Sequence, residues 1–111
     1  MSTVFIGGLP PEGETLLARY LKQYLPDASM EYLKAAGIKG RIKNFGKSSD
    51  VLLIIIEESM YNLCSSVAQE VLELPKVHKY TSVDKLNEFL ISKFGRLGDG
   101  YIENVEPSPV S

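Results

Sequence analysis

The stretch Asp50-Val51-Leu52-Leu53-Ile54-Ile55-Ile56-Glu57-Glu58 decides the fold. Six consecutive apolar residues, four of them β-branched, stand between carboxylates. A strand with one wet face alternates apolar and polar side chains. An unbroken apolar run instead needs cover on both faces, as in parallel sheets flanked by helices on each side. The run is far short of the ~20 residues that span a bilayer. Residues 51–56 therefore read as an interior strand of a helix-covered parallel sheet.

The flanking sequence repeats a strand–helix alternation. Upstream, Thr3 to Ile6 is a β-branched and aromatic run stopped by Gly7-Gly8-Leu9-Pro10-Pro11. Leu16, Leu17, Tyr20, Leu21 and Tyr24 then recur at helical spacing until Pro26. Within residues 27–49, Ser29–Leu33 reads either as a strand, with Met30 and Tyr32 on one side, or as the start of a helix from Asp27; the strand is preferred, followed by a short, irregular helix with Ile38, Ile42 and Phe45 on one face. Gly37 and Gly40 argue against a longer helix there.

Downstream, Met60, Leu63, Cys64, Val67, Val71 and Leu74 form an apolar helical stripe that Pro75 ends. Val77 to Thr81 reads as a short edge strand. Ser82 is placed to cap a last helix that turns Leu86, Phe89, Leu90 and Phe94 inward and stops at Gly95. Strand–helix alternation of this kind implies parallel strands with right-handed crossovers. The expectation is an α/β three-layer sandwich: a four-stranded, mostly parallel sheet in the order 2-1-3-4, with helices on both faces. Residues 1–95 form the domain, and residues 96–111, with two glycines and two prolines, read as a flexible tail or linker.

Composition narrows the function. The chain has 111 residues, 44% hydrophobic and 23% charged, with a net charge of -2. These values suit one globular domain. Basic residues scattered among acidic ones give no footprint for nucleic acid and no polybasic patch for a membrane. The opening Met1-Ser2-Thr3 lacks the basic and apolar regions of a secretory signal. One cysteine, Cys64, leaves no intrachain disulfide. A cytoplasmic protein without direct membrane insertion is expected.

Ligands of open parallel sheets bind beyond the carboxyl ends of the strands. At the first of these, Gly7-Gly8 lacks the spacing of a phosphate-binding loop and has no lysine, while Glu12 and Glu14 would repel an anion. Glu57 and Glu58 could serve a metal or acid–base chemistry. As adjacent residues with no acidic partner after the first strand, they suit the start of the next helix better. His78, the single histidine, has no ligand-spaced neighbour. Cys64 sits on an apolar stripe, unlike a reactive thiol. Ser59, Ser65 and Ser66 have no histidine nearby in the expected fold. No enzyme is expected, and no cofactor or metal.

Val4-Phe5-Ile6-Gly7-Gly8 with Leu16-Leu17-Ala18-Arg19-Tyr20-Leu21, then Ser49 through Ile56, then Val77-His78-Lys79-Tyr80-Thr81-Ser82-Val83 with Leu86, resembles a response-regulator receiver domain in its first, third and last strands. The resemblance implies a flavodoxin-like fold. It also matches the family's acidic metal pair to Gly7 and Gly8, its phosphorylated aspartate to Ile55 and its lysine to Thr81, so the phosphotransfer set is missing. The chain is one strand–helix unit short as well. What the resemblance implies is a pseudo-receiver, like those at the front of pilus- and secretion-localising ATPases, where the fold serves docking and dimerisation. The strand order is similar to the sugar-phosphotransferase system IIB fold too, whose phosphocysteine position falls on Gly8.

The expected function is thus a non-catalytic docking or dimerisation module, binding a protein partner or a second copy of itself, in a bacterial secretion, pilus or conjugation setting. The expected contact face combines the open edge at 77–81 with the helix after it: Val77, Lys79, Tyr80, Thr81 and Ile91, with Tyr80 and Ile91 as exposed apolar groups. The alternative is small-ligand sensing at the Gly7-Gly8 loop, where glycine lets a ligand approach the backbone.

Overall fold

A computed structural model describes residues 2–98. It contains β1 (Thr3–Gly7), α1 (Pro11–Tyr24), β2 (Ser29–Leu33), α2 (Ile38–Phe45), β3 (Val51–Glu57), α3 (Glu58–Leu72), β4 (Val77–Tyr80) and α4 (Val83–Phe94). All strand pairs are parallel, and the sheet order is β2-β1-β3-β4. The apolar run at 51–56 is the interior strand that its composition demands: Leu53, Ile54, Ile55 and Ile56 are each 0% exposed.

The sheet separates two apolar layers. One joins α2 and α3 to Phe5, Val51, Ile54 and Ile56. The other joins α1 and α4 to Val4, Ile6, Leu53 and Ile55. Successive residues of a strand point to opposite faces, so Val51 and Leu53 should share one. They do not, because the β1–β3 register slips between Thr3 and Val4. The irregularity acts as a bulge, leaves Leu52 half-buried at the lower rim, and turns Leu53 toward α1.

The helix boundaries follow local chemistry. Pro11 opens α1, where its missing N–H costs nothing. The Ser82 hydroxyl accepts a bond from the Lys85 backbone N–H at 3.2 Å and caps α4. Gly95 ends α4 at φ 111°. Beyond it, Gly98 N donates to Gln23 Oε1 at 3.1 Å, and the Tyr24 hydroxyl donates to the Arg96 carbonyl. Residues 96–98 of the expected tail are therefore tied to α1, and residues 99–111 lie outside the described residues.

Two expectations about the core need correction. On α2, Ile38 and Ile42 are buried but Phe45, at the last position, is 47% exposed. On α3, the inward residues are Met60, Cys64, Ala68, Val71 and Leu72. Leu63 and Val67, read from the sequence as part of the buried stripe, are each 45% exposed.

Candidate functional site

The crevice expected of this fold lies where strand order reverses, between β1 and β3. The chain fills it with its own side chains. A Cβ on Gly8 would lie 2.9 Å from Met60 Sδ and 3.0 Å from Glu57 Cβ, and one on Gly7 would lie 3.2 Å from Met60 Cε. Gly8 also has φ 75°, which side chains avoid. The close approach permitted by Gly7-Gly8 is thus taken by α3. One strand further, a Cβ on Gly13 of α1 would lie 3.0 Å from the Tyr80 ring, so Tyr80 packs over the start of α1.

Glu57 ends β3 at this rim. One carboxylate oxygen accepts from the Ser59 backbone N–H at 3.0 Å and the other from the Ser59 hydroxyl, which makes Glu57 the N-cap of α3. Those two bonds hold its carboxyl below the ordinary value. Glu58 instead faces Lys79 across 3.8 Å. The pair thus serves the start of the helix and an exposed ion pair. Among the described residues, no group of three or more His, Cys, Asp or Glu side chains could hold a metal ion, and no helix is long and apolar enough to cross a membrane.

The positions matched to receiver chemistry lie near the carboxyl ends of the adjacent strands β1, β3 and β4, and Gly8 among them is exposed. Gly7 is buried, Ile55 is 0% exposed within the α1–α4 layer, and Thr81 is exposed after β4. Cys64 is fully buried. Desolvation pushes its thiol up, with the Lys39 charge acting in the opposite direction. His78 stacks on Phe89 with centroids 4.6 Å apart, its Nε2 is buried without a hydrogen-bond partner, and burial lowers its pKa.

The contact face expected at β4 and α4 also changes. Tyr80 is only 7% exposed, Ile91 is half-buried against the α1–α4 layer, and Val77 is half-buried against the α2–α3 layer. The sheet alternation that turns Tyr80 inward leaves Lys79 and Thr81 as the exposed side chains. Lys79 is engaged by Glu58 and by the Tyr61 ring, 5.4 Å away. That edge is open but polar.

The exposed apolar groups lie elsewhere: Leu63 and Val67 on α3, Phe45 on α2 and Tyr32 on β2. Leu63 and Val67 are one turn apart and form one strip. Glu70 continues that flank and bonds Lys47, just past α2, at 2.8 Å, so the strip borders α2. The two helices touch where a Cβ on Gly46 would lie 2.3 Å from Val71 Cγ1. Lys39 and Lys43, one turn apart on the Gly46 side of α2, form the facing row. Both are exposed and neither has an ion-pair partner among the described residues.

The charge is segregated, contrary to the reading of scattered basic residues. Lys34, Lys39, Arg41, Lys43 and Lys47 fall in residues 34–47, which contain no acidic residue. The rest of the chain carries seven basic against fourteen acidic residues. The clustering is legible in the sequence once α2 is treated as a unit.

Comparison with known protein families, with curated proteins and with solved structures finds no match for this chain.

Proposed function

We propose that the chain is a non-catalytic protein-interaction module, with the α2–α3 face as its docking surface. The strip of Leu63 and Val67 carries this reading, because both side chains are 45% exposed on the flank of a helix whose inward face, Met60, Cys64, Ala68, Val71 and Leu72, is packed. Apolar side chains grouped on one exposed helix face favour association. The receiver-like pattern of the strands suits the same role: a pseudo-receiver, working in a bacterial secretion, pilus or conjugation assembly. Small-ligand sensing at Gly7-Gly8 has less room than the sequence suggests, since Met60 and Glu57 crowd one side of the exposed Gly8.

The test is affinity purification of the tagged full chain from its native host, beside Leu63→Ser/Val67→Ser, with quantitative mass spectrometry. Exposed positions tolerate such changes to within about 0.5 kcal/mol, so both proteins should melt alike. A protein retained by the wild type and lost by the variant supports the proposal. Equal recovery by both, or none by either, refutes it.

A further inference from the structure

Resting on that interaction reading, we infer that the occupant of the α2–α3 face is an acidic amphipathic segment of another protein, which sets apolar residues on Leu63 and Val67 and carboxylates on Lys39 and Lys43. The two rows lie on adjacent helices that touch at Gly46 and Val71, the Lys39 charge acts on Cys64 of α3, and each row spans one turn. A helical segment with apolar residues at i and i+4, flanked by Asp or Glu, matches both rows at once. Charge complementarity selects the acidic class: the lysines that border the strip are unpaired, whereas Arg41 is already taken by Glu31 at 3.1 Å and Lys47 by Glu70.

The same charges disfavour a second copy. A two-fold contact through this face sets each surface patch against its own copy. It would bring Lys39 and Lys43 near their symmetry mates, and like charges across an interface oppose association. A nucleic acid is disfavoured by the apolar strip in the middle of the face and by the small number of free cations, since phosphate binding scales with the phosphates neutralised. An anionic membrane would meet the carboxylates of Glu70 on α3 and Glu73 just past its end.

The probe is a synthetic helical peptide with leucines at i and i+4 and glutamates beside them, titrated into the isotope-labelled full chain and followed by amide chemical shifts. The expected result is a response centred on Lys39, Lys43, Leu63 and Val67. Affinity should fall about tenfold or more in Lys39→Glu/Lys43→Glu and in Leu63→Ser/Val67→Ser. Added salt should weaken the wild type several-fold and barely affect the charge-reversed variant. No response, a response elsewhere, or an equal response to a scrambled peptide, single-stranded DNA or phosphatidylserine vesicles overturns the inference. Adding Lys39→Glu/Lys43→Glu to the host purification separates the two proposals. A partner lost with the serine variant but kept by the charge reversal sinks the acidic segment and leaves the interaction module standing.

Discussion

Replacing Gly8 with alanine would force a Cβ into space the chain already occupies. Gly8 sits at φ 75°, where a side chain meets its own backbone at a cost of about 1–2 kcal/mol. The new Cβ would also stand 2.9 Å from Met60 Sδ and 3.0 Å from Glu57 Cβ. Met60 is unbranched and can swing aside. The Glu57 Cβ has less freedom, because its residue joins β3 to the capped start of α3. Overpacking of this kind costs about 1–3 kcal/mol. A total of about 3 kcal/mol corresponds to a drop of roughly 12–24 °C in melting temperature for a domain of this size. Urea and thermal unfolding, followed by circular dichroism, should be run on the wild type, Gly8→Ala, Met60→Ala and the double variant. Met60→Ala is costly by itself, but it should relieve part of the alanine penalty and show a coupling of about 1 kcal/mol. A Gly8→Ala penalty under about 0.5 kcal/mol, or strict additivity in the double variant, would refute the claim that α3 closes this crevice.

Ile55→Val should cost about 0.5–1.5 kcal/mol in urea, whereas Ile55→Asp should leave the chain unfolded, because a carboxylate there has no partner in the α1–α4 layer; a folded Ile55→Asp protein contradicts this. Glu57→Ala should lose the cap of α3 and about 0.5–2 kcal/mol. Since the folded carboxyl is held below its ordinary value of 4.5, the stabilisation is complete above that pH and disappears as pH falls through the lowered value; an unchanged acid limb in Glu57→Ala denies the cap this role. His78 has the opposite charge sense but also weakens the fold in acid. Burial lowers its folded pKa below the ordinary 6.5, so the unfolded chain binds the proton more readily, and stability declines as pH falls from there toward the folded value. His78→Phe should keep the stack on Phe89 and flatten that decline, and parallel stability curves for the two proteins between about pH 7 and pH 5 would show that His78 does not cause it.

The architecture was legible because its signals are one-dimensional. The run from Val51 to Ile56, short and rich in β-branched residues, suits a strand buried on both sides, and Pro26, Pro75, Ser82 and Gly95 punctuate the helices through backbone chemistry that depends on few neighbours. The β4 face departs from its sequence expectation for a long-range reason. A tyrosine on a short edge strand reads as half-wet, but Gly13 of α1 leaves room for a ring, and Tyr80 fills it. Nothing near residue 80 in the sequence announces that vacancy, since the two positions come together only after β4 joins β3.

The misreading of α3 bears most directly on function. Hydrophobicity alone ranks Leu63 and Val67 above Ala68 as core residues, and the spacing of 60, 63, 64, 67 and 71 supports them. The fold orders them differently. α2 packs close against the end of α3 because Gly46 has no side chain to hold Val71 away, and α3 departs from helical geometry at Ala68, φ -143° and ψ 35°. With that geometry Ala68 is buried, while the larger Leu63 and Val67 stay on the flank. Leaving them there forgoes apolar burial worth about 25 cal/mol per Å² of the area they keep exposed. Leu63 and Val67, which the fold leaves exposed, stand beside two lysines that have no ion-pair partner among the described residues. Each unmet interaction is ordinary by itself. Their alignment along adjacent helices is what a single partner, apolar and acidic on one face, would satisfy together.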